Sequence, residues 1–274
     1  MSLPLLRRLA RAGLLAAPLL SLLIASPPAA AAGPAWTLQH EFSFSHDASS
    51  PQGAQASLVG GASVVDGVLR LQGSQAFAEY AGLIPSVENG YESWWTVSLW
   101  ARQTQAVVDQ AAVLVGQGVS AGYLPEFSLH LSRDAQDQAR IWGINQSGWG
   151  GGASAAVAPA DGWHHYAVLM AENRVALYVD GQFAASGGAG FDYSTPYFHG
   201  AMRFGRQVAN NGGQFNGDLD DVRIYAGALD AETIAAQYAA GPSVSAVPEP
   251  ASLALMLAGA GLLAGLGARR HRRA

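Results

Sequence analysis

Hydrophobic positions in this chain follow two regimes. From Trp36 to about Tyr225, apolar residues recur with a period of two in short runs separated by Gly, Asp, Asn, Ser and Pro, and long helical periodicity is absent until the segment after Asp230. At both ends the alternation gives way to nearly unbroken apolar stretches, Leu14 to Ile24 and Ala251 to Ala268. The middle predicts antiparallel strands, and the ends predict targeting segments.

Trp36, Leu38, His40, Phe42 and Phe44 alternate with smaller or polar residues. Val97 and Leu99 face one way while Trp100 faces the other, and Ala112 to Gly116, Phe127/Leu129/Leu131 and Ile141 continue the series. In DGWHHYAVLMAENRVALYVDGQFAAS two strands meet across Ala171 to Asn173, and a third returns through Asp180-Gly181, a strong two-residue hairpin signal. Near the C-terminus the phase breaks: Phe215 and Leu219 share a parity that Val222 and Ile224 reverse. Burying all four requires an extra residue near Asp220 and Asp221, and a β-bulge there would re-aim both carboxylates. Asp230 then caps a short helix that docks through Ile234 and Tyr238 and ends at Gly241.

Met1 to Ala32 has the layout of a secretory signal peptide: Arg7, Arg8 and Arg11, an apolar run, then an A-x-A site near Ala30 to Ala32. At the other end, 251–268 is an uncharged segment that as a helix would span about 27 Å, close to a bilayer core of about 30 Å. Arg269, Arg270, Arg272 and Arg273 follow it, which places them in the cytoplasm and everything before them across the membrane. Residues 242–246 read as a linker, leaving 33–241 as one large β domain.

Composition narrows the chemistry of that domain. Between Gly33 and Ala246 eight arginines face nineteen carboxylates, a net charge of about −11 that repels phosphate backbones and argues against nucleic acid. Lysine is absent, which excludes Schiff-base chemistry and a Walker-type phosphate loop, and cysteine is absent, which excludes thiol catalysis and thiolate metal sites. The exported domain must therefore be held together by its core rather than by disulfides.

Several motifs match chemistry only in part. Gly118-Val119-Ser120-Ala121-Gly122 fits G-x-S-x-G, yet a strand pattern follows where a nucleophile elbow needs a helix. His164 and His165 are adjacent on a strand, so they leave opposite faces and cannot share one metal. No run places alternating Glu and Asp on one strand as two-carboxylate glycan hydrolysis requires, so the domain is expected not to be an enzyme. Asp220 and Asp221, turned by the bulge and joined by Asp47, are candidate ligands for a structural calcium, and the alternative is ion pairing with Arg203, Arg206 or Arg223. Trp149, with Asn145 and Gln146, lies in the Gly-rich segment NQSGWGGGA, where an aromatic ring and amides suit sugar binding. Phe191, Tyr193, Tyr197 and Phe198 either do the same or pack under a long connection.

Two resemblances follow from these residues. GWHHYAVLM, LYVDGQ, FGR and FNGDLDDVRIYAGALDAETI resemble the LamG-like, concanavalin A-like jelly-roll family. That resemblance implies an all-β sandwich of two antiparallel sheets with one short helix near its C-terminal end, and mostly carbohydrate-binding or adhesive roles. The opening HDASSPQG departs from the family's usual Asp-x-Ser-Gly-Asn-Gly segment. Val247-Pro248-Glu249-Pro250, the apolar segment and Arg269-Arg270 resemble the PEP-CTERM sorting signal of Gram-negative bacteria. That similarity implies an exosortase-type protease as partner, a transient membrane helix before processing, and a cell-surface or extracellular destination. The expected function is a surface-sorted, lectin-like module for polysaccharide, with a structural or adhesive matrix protein lacking a discrete sugar site as the alternative and a glycan-degrading enzyme third.

Overall fold

A computed structural model describes residues 36–84, 94–104, 111–118, 127–133, 139–145, 152–157, 162–171, 174–188, 200–208 and 212–243. In chain order the strands are β1 (Thr37–Phe42), β2 (Ser57–Val59), β3 (Ala62–Val65), β4 (Val68–Leu71), β5 (Phe77–Tyr80), β6 (Trp95–Gln103), β7 (Ala112–Gly118) and β8 (Phe127–Arg133). They continue with β9 (Ala139–Asn145), β10 (Gly152–Ala156), β11 (Trp163–Ala171), β12 (Arg174–Val179), β13 (Gln182–Gly188), β14 (Ala201–Phe204) and β15 (Gly217–Ala226), and one helix follows, α1 (Ala231–Ala240). An eight-stranded sheet runs β13-β12-β11-β6-β15-β4-β3 with β1 also paired to β15, and a seven-stranded sheet runs β10-β9-β8-β7-β14-β5-β2.

Alternation decides which residues lie between the sheets. Val97, Leu99, Tyr166, Val168 and Met170 from one sheet meet Leu114, Phe127, Leu129, Ile141 and Met202 from the other in one core. Phe42, Tyr80 and Phe204 form an aromatic knot in it, with ring centroids 4.7 to 5.3 Å apart. Each such side chain contributes about 1.5–3 kcal/mol on burial, which lets the domain stand without disulfides. The Tyr80 hydroxyl donates to the Ala48 carbonyl at 2.9 Å and ties the segment after β1 to the core.

The phase break becomes a bulge. Asp220 pairs with Trp100 and Arg223 with Ser98, so Asp221 and Val222 together oppose Leu99. Asp221 takes a φ of 47°, and Phe215, Leu219, Val222 and Ile224 are all buried. The bulge also marks a change of neighbour: Gly217–Leu219 pair with β4, whereas Val222–Ala226 pair with β1. β1 departs from the unbroken alternation expected of it, because its register shifts between Leu38 and His40. Leu38 thereby packs with the cluster outside the sheet while Phe42 enters the core.

Asp180 and Gly181 both adopt positive φ, 49° and 75°, and close the β12–β13 hairpin as an Asp-Gly pair is expected to. For α1, the Asp230 carboxylate accepts from the Thr233 N–H at 2.7 Å, and Gly241, at φ 74°, donates to the Tyr238 carbonyl at 3.0 Å. Ile234 is fully buried beside Ala167, Leu169, Tyr178, Tyr225 and Leu229. Tyr238, expected to dock with it, stays 41% exposed and lies nearly parallel over Trp100 at 5.6 Å. The helix therefore covers the outer face of the eight-stranded sheet. Among the described residues no helix is long and apolar enough to cross a membrane, and 251–268 lies outside them.

Candidate functional site

Parity on β8 to β10 aims one set of side chains outward. Because Phe127, Leu129, Leu131 and Ile141 fill the core, Ser128, His130, Ser132, Arg140 and Trp142 stand on the outer face of the seven-stranded sheet. Register places His130 beside Trp142 and Trp142 beside Ser154. The Trp142 indole N–H donates to the Ser132 Oγ at 2.7 Å, which fixes the direction of the ring. The His130 imidazole lies within 8° of parallel to it, centroids 6.4 Å apart, and shares a hydrogen bond with the Ser128 Oγ at 3.1 Å. Arg140 donates to the Ser154 Oγ at 3.0 Å, with its guanidinium 6.0 Å from the centre of the Trp142 ring. Burial pushes the His130 pKa down to about 4, so its imidazole is neutral at pH 7.

A second aromatic group stands on the same face. Met202 and Phe204 point inward, so Arg203 points out, and its Nε donates to Glu79 at 2.7 Å while Nη1 donates to the Gln207 carbonyl at 3.2 Å. The Arg203 guanidinium lies 4.4 Å from the Phe77 ring centre and that of Arg206 lies 5.9 Å from it. Burial, together with the charge of Arg203, lowers the pKa of Arg206. Between the two groups β7 presents Gly116, paired to Arg203 on one side and Ser128 on the other. From β9 to β5 is four strand steps, about 19 Å at ~4.8 Å per step. The face thus carries two groups of side chains about four strands apart, in which Phe77, Ser128, Ser132 and Gly116 are buried and Trp142 and His130 are partly buried.

The opposite outer face is built differently. Asp218, 1% exposed, accepts from Arg70 Nε at 2.9 Å and from Arg102 Nη2 at 2.6 Å, and Arg102 stacks over Trp163 at 5.0 Å. Asp221 accepts from Arg223 at 3.1 Å and, through its other oxygen, from the Ser243 N–H at 2.7 Å, while Arg223 Nε also donates to Glu41 at 2.8 Å. Asp220, fully buried, accepts from the Asp221 N–H at 2.8 Å. Asp47 accepts from the Ser49 N–H and hydroxyl, contacts that hold its carboxyl below the usual range. Among the described residues no three His, Asp or Glu side chains gather around a common point, Asp220, Asp221 and Asp47 included. Of the arginines considered for these aspartates, Arg223 pairs with Asp221, whereas Arg203 pairs with Glu79.

His164 and His165 do leave opposite sides of β11. His164 Nδ1 lies 2.9 Å from the Asp180 carboxylate, while His165 is buried under Trp100, ring centroids 5.3 Å apart. Asn145 ends β9, its Cα paired with Phe127. Gln146, Trp149, the aromatics of 191–198, Ser120, Val247 to Pro250, Arg269 and Arg270 lie outside the described residues. Trp142 and its neighbours were not among the residues singled out from the sequence. Their signal was the outward parity forced by Phe127, Leu129, Leu131 and Ile141, although only the strand register shows that they adjoin.

Two packed antiparallel sheets agree with the match of residues 78–235 to the concanavalin A-like lectin/glucanases superfamily. The chain belongs to this superfamily. Residues 246–273 match the PEP-CTERM protein-sorting motif. No curated protein matches the chain. Among solved structures, the superfamily fold is shared with domain 4 of an extracellular arabinanase from Geobacillus stearothermophilus in complex with arabinotriose. The two are 18% identical, with a TM-score of 0.51 over 73% of this chain and 98% of that one. It is shared also with a Trypanosoma rangeli sialidase, at 17% identity and a TM-score of 0.58 over 76% of this chain and 33% of the other. A botulinum neurotoxin binding domain determined with SialylT matches at 10% identity and a TM-score of 0.53, over 74% and 51% of the two chains. Likeness at these identities establishes the shared fold.

Proposed function

We propose that the domain is an exported, surface-sorted lectin-like module that binds polysaccharide across the outer face of its seven-stranded sheet. The observation that carries this reading is Trp142, a half-buried indole held in one orientation by Ser132 and flanked by His130 and Arg140. A ring fixed on a strand can stack against the C–H face of a sugar with little ordering left to do on binding. Chain order adds support, because 146–151, with Gln146 and Trp149, connects β9 to β10, two strands of this same face. Similar folds determined with arabinotriose or SialylT bound are consistent with a sugar ligand. Glu79, the carboxylate described on the face, is ion-paired to Arg203, which suits binding rather than two-carboxylate hydrolysis. In this reading the tail retains the protein at the membrane until an exosortase-type protease cuts near Val247 to Pro250, freeing the domain to the cell surface.

Affinity electrophoresis of the full-length chain in non-ionic detergent, through gels containing a panel of polysaccharides, tests the reading. Retardation by at least one polymer is expected, with Trp142→Ala weakening it about tenfold, as loss of an aromatic anchor of about 1–2 kcal/mol requires. Retardation of the variant equal to that of the wild type, or none by any polymer, refutes it.

A further inference from the structure

Among the described residues four large apolar side chains are left exposed, Trp36, Leu58, Phe183 and Tyr238, and the last two lie on the outer face of the eight-stranded sheet at its β12–β13 end. Tyr238 closes over the tip of that hairpin, where a Cβ on Gly181 would lie 2.9 Å from its own, and Phe183 follows two residues later. The Phe183 ring meets Tyr178 edge-on at 5.6 Å, and Tyr178 belongs to the cluster around Ile234 under α1. Little charge surrounds the two rings. Residues 181–188 and 233–243 hold no Asp, Glu, Lys, Arg or His. The Asp180 carboxylate at the tip lies against His164 Nδ1 and accepts from the His165 N–H, while Asp230 and Glu232 stand at the other end of α1.

This patch adjoins the point where the chain leaves the domain. α1 ends at Gly241, and the Ser243 N–H is held by the buried Asp221 carboxylate at 2.7 Å. Eight residues lead from Ser243 to Ala251, a reach of at most about 29 Å at ~3.6 Å per residue. A compact domain of about 200 residues has an expected radius of gyration of about 17 Å, hence a diameter of about 43 Å. With a tether shorter than its own width, the domain cannot turn this end away from a membrane that holds 251–268.

We infer that, until the tail is cut, the patch of Phe183 and Tyr238 rests in the interfacial layer of the phospholipid bilayer. The inference rests on the proposed retention of the protein by its tail and adds the face through which the domain meets the lipid. Aromatic side chains suit that depth, because the ring body enters the acyl boundary while the tyrosine hydroxyl stays in water. With no charge on the patch, a zwitterionic lipid surface is sufficient. Two rings bind lipid weakly by themselves, and the tether supplies the effective concentration that makes the contact persist. Cutting the tail removes that advantage and frees the domain. The seven-stranded sheet lies across the core from the patch and so faces away from the bilayer.

The chain contains no cysteine, so each single-cysteine variant carries one spin label. Ala239→Cys and Ala184→Cys, both exposed and next to the two rings, report on the patch, and Ser57→Cys, exposed on the seven-stranded sheet, is the reference. Each is exported in a Gram-negative host lacking exosortase, so that the tail is kept, and reconstituted into phosphatidylcholine vesicles. Collision with oxygen relative to a water-soluble nickel chelate is expected to be several-fold higher for the labels at Ala239 and Ala184 than for the label at Ser57. Phe183→Ser with Tyr238→Ser should bring it down toward the Ser57 value, and if that pair unfolds the domain, Phe183→Ser alone should lower it in part. Equal values at the three sites in chains that float with the vesicles overturn the inference while retention by the tail stands. Values at Ala239 and Ala184 unchanged by loss of the rings in a folded variant do the same. A chain recovered as soluble protein, with no vesicle binding, removes both.

Discussion

Trp100 and Trp142 stand on the outer faces of the two sheets, each on a strand whose alternate residues fill the common core, and their surroundings are opposite. Trp100 is 4% exposed, roofed by Tyr238 of α1 and flanked by His165. Trp142 has a ring partly open to solvent and a hydrogen bond that fixes its orientation. The same residue type on the same kind of surface is thus roofed by a helix in one place and held by a serine hydroxyl in the other. What separates them is the C-terminal helix. By docking Ile234 and laying Tyr238 over the eight-stranded sheet, α1 covers Trp100, whereas Trp142 on the seven-stranded sheet keeps a partly buried ring.

The widest expected separation is in stability. Trp100→Ala empties a space between sheet and helix and should destabilise the domain by about 3–5 kcal/mol, the range for truncating a buried aromatic. Trp142→Ala removes a half-buried ring and should cost about 1 kcal/mol. Chemical denaturation of both variants checks the pair, and equal losses would show that the two faces are packed alike.

Acid should act on both faces through one mechanism. Burial lowers His165 and His130 to about 4, from a value near 6.5 in an unfolded chain. At His165 the charge of Arg223 lowers it further, while Asp180 and Gln237 work the other way. A histidine with a depressed folded pKa stays neutral in the fold but binds a proton when unfolded. Its stabilisation is therefore complete above pH 6.5 and falls as pH drops from 6.5 toward 4, by up to about 3 kcal/mol per histidine. Unfolding midpoints measured from pH 7 to pH 4 should decline across that window, and His165→Gln should remove about half of the decline. A flat profile in the wild type would mean that neither imidazole is desolvated.

The framework of this contrast was legible in the sequence, but the site was not. Opposite parities in Phe215/Leu219 and Val222/Ile224 required a bulge, and it falls where β15 changes its neighbour from β4 to β1. Asp180-Gly181 and the Asp230 cap could be read because turn and cap chemistry is local. Trp142 illustrates the limit. Its outward parity follows from Ile141, but its meaning depends on Ser132, ten residues earlier, and on His130, which reach it only through the register of β8 with β9. The roles of the aspartates were also non-local: Asp218 is claimed by Arg70, 148 residues away, and by Arg102, 116 residues away. Nothing in the spacing of these aspartates announced that Asp218 and Asp221 meet arginines.

In binding, the contrast narrows to single groups. Trp142→Ala should lower polysaccharide affinity about tenfold, whereas Trp100→Ala, assayed where it remains folded, should leave affinity unchanged, because its ring faces the helix. Isothermal titration with a polymer that retards the wild type separates the two, and an equal loss in both variants would place binding outside the seven-stranded face.

Ser132→Ala gives the smallest expected effect and the finest test. The hydroxyl is nearly buried and does not belong to the presented ring, so its share in binding runs through the 2.7 Å bond that aims the indole. Removing it keeps the ring and its area but frees its orientation, which should weaken polysaccharide affinity about threefold to fivefold, in line with a net hydrogen bond of about 0.5–1.5 kcal/mol. Ser132→Thr retains the hydroxyl and should restore most of the loss. The fluorescence anisotropy decay of Trp142 reports the orientation directly, in a background where the other tryptophans are replaced by phenylalanine and folding is confirmed. Faster local motion in Ser132→Ala, with weaker binding rescued by threonine, marks Ser132 as a positioning residue. Unchanged motion together with unchanged affinity would mean that the ring is held by packing against His130 and Arg140 rather than by this bond.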